Sequence, residues 1–388
     1  MAKTLFDEIE HSDAAAATED KLALEQVSDE LNVIDETEDE KLAPTRFRIT
    51  SYGADLSVFD LRRRLGHEIL IPAPFQRKFV WTQRQASRFV ESILLGLPVP
   101  GIFVYLKDKK QLIVDGQQRL ITLDRFLSGT WETKTRKQGG KDVEVVTPFD
   151  LVDVDPAWEG RTFQKLDKDD RDEIENYLIH ATIFRQDHPK AKDRSIYEVF
   201  ERINTGGLRL SPQEIRACVS HGTFVVKLGE AAELPNWRRI YGRRSPRLKD
   251  EELILRFFAL LHAVDSYKRP MRVFLDDYLE ANKDISDQSF ADLVALFVRT
   301  LDVFYDVLGD RAFRPEKAIN AAVFDAMMIG CAKRLQNGNV SNKDEFANAY
   351  AALLADETFR RNYQRATADE ESVKNRIKLA TSAFASVT

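Results

Sequence analysis

At 388 residues, with 43% hydrophobic and 31% charged positions, the chain has a globular composition and enough length for two domains. No window approaches ~18 consecutive apolar residues, which excludes a spanning helix, and the opening Met1-Ala2-Lys3-Thr4 lacks a signal-peptide core, so a cytoplasmic protein is expected. The net charge of −6 is unevenly spread: residues 1–43 hold fourteen Asp/Glu against three Lys, a net of −11, which leaves the remaining 345 residues at +5.

In chain order, residues 1–43 read as an acidic leader without a packed core, either solvated or screening the basic body until a polyanion displaces it. Ordered structure is expected from about Arg46, with a short helix over Leu56–Leu65 ended by Gly66 and a strand at Ile69–Ile71 stopped by Pro72. Thr82 with Gln85 forms a capping-box pattern before the apolar positions Phe89, Val90, Ile93, Leu94 and Leu97. Ile102–Leu106 and Gln111–Val114 predict a hairpin, and Leu120, Leu123, Phe126 and Leu127 a helix ending at Ser128-Gly129. A second hairpin is expected over Thr133–Thr147, a helix from Lys168 to Tyr177, a strand at Ile179–Phe184 and a helix at Arg194–Ile203. Ser211-Pro212-Gln213-Glu214 starts the next helix, and from Thr223 the periodicity is helical throughout. The expected division is a leader (1–43), an α+β domain (44–222) and an all-α domain (223–388). Cys218 and Cys331 sit in apolar helical patterns as isolated small residues.

Three segments carry chemistry. In Val114-Asp115-Gly116-Gln117-Gln118-Arg119 a strand reaches a glycine and a helix begins at once. First-turn amides have no carbonyl partners there, so the turn suits an anion, and Arg119 adds a fork matched to phosphate. Gln117 and Gln118 suit phosphate, sugar or water contacts, and Asp115 suits a magnesium ion or a water. The plainer reading is an N-capping Asp followed by a solvated turn. Phe75-Gln76-Arg77-Lys78-Phe79-Val80-Trp81 offers a cation among aromatics, or else the edge of a core. Phe200-Glu201-Arg202-Ile203-Asn204-Thr205-Gly206-Gly207 ends a helix, and Asn204 and Thr205 beside the stop are candidates to line a phosphate or sugar pocket.

Taken together and in this order, the three segments resemble the N-terminal domain of the GmrSD-type modification-dependent restriction family. The matching positions are Ile71-Pro72, Gln76-Arg77 and Trp81, then Asp115 to Arg119, then Phe200, Ile203-Asn204, Gly206-Gly207, Leu210 and Glu214-Ile215-Arg216. The resemblance implies a ParB/sulfiredoxin-like fold that binds a nucleoside triphosphate with Mg²⁺. Asp115, Gln117, Gln118 and Arg119 would be the catalytic positions, with Asp115 at the metal. Gly116, Gln76, Arg77, Asn204, Thr205, Gly206 and Gly207 would contact the nucleotide, Gln76 and Arg77 also serving substrate or modified-DNA sensing. Phe75 and Phe79 stand where the family often has Tyr, and they carry no hydroxyl for a contact there.

Full-length restriction members add a His-Asn-His nuclease. The six histidines here are His11, His67, His180, His188, His221 and His262, so the last 126 residues are not expected to supply that chemistry. The expectation is therefore a stand-alone sensor or NTPase of an anti-phage system, with a nuclease partner for cleavage. The alternative is a non-hydrolysing, nucleotide-switched DNA-binding module. The acid-free stretch between Asn236 and Lys249, with Arg238, Arg239, Arg243, Arg244, Arg247 and Lys249 beside Trp237 and Tyr241, is the candidate contact to foreign or modified DNA, or else a face paired with acidic neighbours. A homodimer stays open, and no membrane partner is expected.

Overall fold

The computed structural model describes residues 33–34, 47–70, 79, 81–107, 110–138, 141–188, 199, 211–219 and 222–388. They form two units: Arg46–Leu210, and Ser211–Thr388 joined by the short strand β1 (Val33–Ile34). Among the described residues no helix is long and apolar enough to cross a membrane.

The first unit is α+β. Its elements are β2 (Arg48–Ser57), α1 (Val58–Arg64), β3 (Ile69–Leu70), α2 (Gln83–Leu94), β4 (Ile102–Lys107), β5 (Lys110–Asp115), α3 (Gln117–Ser128), β6 (Thr130–Gln138), β7 (Lys141–Pro148), α4 (Lys168–Asn176) and β8 (Leu178–His188). Among the described residues five strands form one sheet in the order β2-β8-β4-β5-β3, while β6 and β7 form a separate antiparallel hairpin. β4 is antiparallel to β5 and parallel to β8, and β8 is antiparallel to β2.

One face of the sheet, with Ile102, Val104, Ile113, Ile179, Ala181 and Ile183, buries against apolar residues of α1 to α4. The helices form because their apolar positions recur every three or four residues and their ends are capped. Thr82 accepts from the Gln85 amide while the Gln85 side chain returns to the Thr82 amide, so the capping box expected for α2 is present. Gly129, at φ +74°, ends α3 in the left-handed conformation.

Two features depart from the sequence expectations. The helix expected over Leu56–Leu65 begins only at Val58, capped by the Ser57 hydroxyl, because β2 runs through Ser57. β2 escaped the pattern reading because it is an edge strand exposed along most of its length, so no alternation marks it. Between β4 and β5 the register shifts: Val104 faces Ile113 but Phe103 faces Asp115, which leaves Val114 as an extra residue.

The second unit is helical, as expected: α5 (Pro212–Val219), α6 (Thr223–Ala231), α7 (Pro235–Tyr241), α8 (Lys249–Ala263), α9 (Met271–Ala281), α10 (Asp287–Leu308), then the short strand β9 (Ile319–Asn320), α11 (Ala321–Leu335), α12 (Lys343–Ala355), α13 (Glu357–Gln364) and α14 (Glu370–Ala385). Val33 of β1 is buried and pairs in parallel with Ile319 of β9. The core is aromatic, with Trp237 in ring contact with Tyr241, Phe297 and Phe324. Charged side chains also lie inside the unit: Asp325 is fully buried and accepts hydrogen bonds from the buried Arg256 and Arg376.

Helix α5, grouped in the sequence reading with the α+β domain, packs in the helical unit. The reason is electrostatic: buried Arg216 donates to Glu252 and Asp276 at 2.7 Å each, and Glu214 accepts from Arg247 at 2.9 Å. Ser211 and Glu214 form the anticipated reciprocal cap.

Candidate functional site

The turn at Asp115–Arg119 lies where β5 hands over to α3. Gly116 is the N-cap, at φ +94°, and no side chain caps the helix there. That disposes of an Asp cap as the role of Asp115. A Cβ at Gly116 would stand 2.4 Å from Ile102 Cγ2, so glycine is required by backbone angle and by space alike.

Asp115 accepts instead from Arg119, whose Nη2 donates to Asp115 Oδ2 at 2.7 Å across one helical turn. The Arg119 side chain is only 13% exposed, and its Nε is buried without a hydrogen-bond partner among the described residues. The Gln117 Nε2 is likewise buried and without a partner among the described residues. Orphaned donors of this kind are costly unless something meets them, and they cluster here beside a helix N-terminus. Gln118 points elsewhere, and its Oε1 accepts from the Trp81 amide at 3.4 Å.

Gln118 thereby ties α3 to the end of the segment that contains Gln76 and Arg77. A second tie was not visible in the sequence: the Arg125 guanidinium stacks on Phe79 at 4.2 Å and lies 5.7 Å from the Trp131 ring. Burial pulls Arg125 below the usual guanidinium range, against the raising influence of Glu132 and Asp124. Gln76, Arg77, Asn204, Thr205, Gly206 and Gly207 lie outside the described residues.

Among the described residues no three His, Cys, Asp or Glu side chains gather as a metal cluster. Cys331 is buried and free, and burial pushes its thiol up to about 12.

The basic stretch in the helical unit divides into two groups. Arg238 pairs with the buried Asp250, Arg244 with Glu233 and Glu251, and Arg247 with Glu214. These three arginines are held by acids of the same unit, and their charge serves its own packing. Arg239 and Arg243 are exposed, Arg239 lying 5.6 Å from the Tyr305 ring, and Lys249 is half-buried at the start of α8. Trp237 and Tyr241 belong to the core and are not surface aromatics.

Residues 56–219 match the model of the GmrSD restriction endonuclease N-terminal domain. No curated protein matches the chain. The match takes in β4, β5, the Gly116 turn and α5, and residues 56–219 are accordingly a GmrSD-type restriction endonuclease N-terminal domain.

Proposed function

We propose that this protein binds a nucleoside triphosphate at the Gly116 turn, hydrolyses it, and uses the nucleotide state to govern a restriction-type action on foreign or modified DNA. The observation that carries this reading is the uncapped helix start at Gly116, with the buried, unpartnered Arg119 Nε and Gln117 Nε2 beside it. First-turn helix amides and a guanidinium are the groups that take up triphosphate charge. The match to a restriction endonuclease domain supports the DNA-directed side of the proposal.

In this mechanism the triphosphate oxygens meet the α3 amides and compete with Asp115 for Arg119. Displacing Arg119 from Asp115 turns one internal pair into two working groups. Arg119 then offsets charge on the transferring phosphoryl group, and Gln117 orients the attacking water. Asp115 alone does not make a metal site, but one carboxylate with phosphate oxygens and waters is the set that Mg²⁺ ordinarily takes. Bound there, the ion would neutralise phosphate charge. ParB/sulfiredoxin-like architecture, a nuclease partner for strand cleavage and a cytoplasmic setting belong to the same proposal.

The test is a screen of purified protein with ATP, GTP, CTP and UTP, scoring binding and phosphate release with Mg²⁺, with and without plain and modified DNA. Binding and release of phosphate from at least one nucleotide is expected. Binding without release would replace the hydrolase by a nucleotide-switched DNA-binding module, and binding of none would remove the nucleotide reading.

A further inference from the structure

A second polar station lies on the same sheet as the Gly116 turn. His180 on β8 and Asp55 on β2 are cross-strand partners, and His180 Nδ1 is 2.8 Å from Asp55 Oδ1. Both side chains are open to solvent, at 59% and 62%. The imidazole nevertheless has a fixed seat. It lies against the backbone of Gly53, where a Cβ would come within 2.6 Å of the ring's Cε1. Exposed ion pairs contribute at most about 1 kcal/mol to folding, so stability does not account for a surface ring held on one edge and one face.

The strand register puts this pair on the face that carries Asp115. Asp115 faces Phe103, Phe103 lies beside Thr182, and His180 is two residues before Thr182. Paired residues share a face, and so do residues two apart. Further along that face Tyr105, Leu112 and Phe184 are buried, whereas Phe103, Thr182 and Asp115 are half-buried and His180 and Asp55 exposed. An accessible strip thus crosses the sheet at one end, from Asp115 on β5 to Asp55 on β2. It covers three inter-strand spacings, roughly 14 Å, a span that suits an extended nucleotide.

We propose that His180 and Asp55 form the nucleoside end of the nucleotide site, selecting a ribonucleotide; this rests on the phosphate end lying at the Gly116 turn. In the tautomer whose Nδ1–H donates to Asp55, Nε2 is left as an acceptor toward the ligand. The outer face of the imidazole offers a flat platform for a base. The second Asp55 oxygen accepts from a ribose hydroxyl.

The experiment titrates wild-type protein, His180→Ala and Asp55→Asn with three probes: the nucleotide that wild-type protein binds best among ATP, GTP, CTP and UTP, its 2′-deoxy form, and inorganic tripolyphosphate. The expected result for His180→Ala is about tenfold or more weaker nucleotide binding with unchanged affinity for tripolyphosphate, which also reports a folded phosphate end. Asp55→Asn is expected to lose discrimination between the ribose and deoxyribose forms. Unchanged nucleotide affinity in both variants, or equal weakening toward tripolyphosphate, overturns the proposal. Wild-type protein that binds tripolyphosphate as tightly as any nucleotide overturns the nucleoside end alone, and wild-type protein that binds neither overturns both ends.

Discussion

Arg119 reaches back across one turn of α3 to hold the carboxylate of Asp115, Nη2 to Oδ2, at 2.7 Å. Two groups with separate expected roles therefore satisfy one another. Arg119→Ala is expected to abolish phosphate release. Its pair with the 39%-exposed Asp115 is worth about 1 kcal/mol or less, so the variant should keep its circular dichroism spectrum and melt near the wild-type temperature. Hydrolysis at the wild-type rate by that variant would remove Arg119 from the mechanism.

Gly116→Ala should be harsher on the fold. It forces a side chain into a left-handed conformation and against Ile102. Strain of that kind costs about 1–3 kcal/mol, read as a lower urea midpoint, and nucleotide binding should disappear with it. Full stability in the alanine variant would mean that the turn tolerates another geometry.

The buried charges of the helical unit yield a third expectation. Asp325 stands between Arg256 and Arg376, all three essentially inaccessible to solvent. Asp325→Ala leaves two guanidinium groups without their shared carboxylate, and removing one partner of a buried pair costs about 3–5 kcal/mol. Asp153→Ala, which breaks the surface pairs with Arg84 and Arg88, should cost no more than about 1 kcal/mol. Equal costs in chemical denaturation would contradict this ranking.

His262 sets a pH dependence. Burial holds its imidazole below the ordinary value of 6.5, with Nδ1 2.9 Å from the Tyr278 hydroxyl. The folded state therefore binds this proton less readily than the unfolded chain. The stability it contributes is present above the ordinary value and is lost as pH falls through that value toward the depressed folded one. Melting temperatures should decline between about pH 7.5 and pH 5.5, and less steeply in His262→Gln. Parallel curves for the two proteins would show that His262 does not carry the effect.

For DNA, the split within the basic stretch makes a selective expectation. Arg239→Glu and Arg243→Glu change exposed charges, so each should weaken DNA binding, flatten its salt dependence by about one unit and leave melting unchanged. Arg244→Ala instead removes one ion-pair partner of Glu251, which is 5% exposed, and should lower stability first. Filter binding over a salt series, run beside thermal melts, separates these outcomes.

These contrasts show what the sequence exposes. The capping box of Thr82 and Gln85 is local, since every atom it needs lies within four residues. His180 and Asp55 are 125 positions apart and meet only through the β2–β8 register, which no local pattern encodes. The basic stretch misled for a related reason. Its acid-free run is real, but Glu214, Glu233, Asp250 and Glu251 come from before and after it and take three of its arginines. Local signals fix caps and turns, whereas pairing across the fold decides which charges remain available.

The extra residue at Val114 carries a consequence for the lineage of such sites. Antiparallel partners alternate sides, so the bulge acts as a parity bit: it turns the Asp115 carboxylate to the face with Phe103 and away from the side where Val104 and Ile113 meet the helices. Regular pairing through Val114 would instead set Asp115 opposite Ile102 and aim a charge into the apolar layer without altering a single functional side chain. Insertions between Lys107 and Lys110 change only the hairpin's length and leave that parity untouched. The side to which Asp115 turns is thus set at Val114 and not at the hairpin's tip.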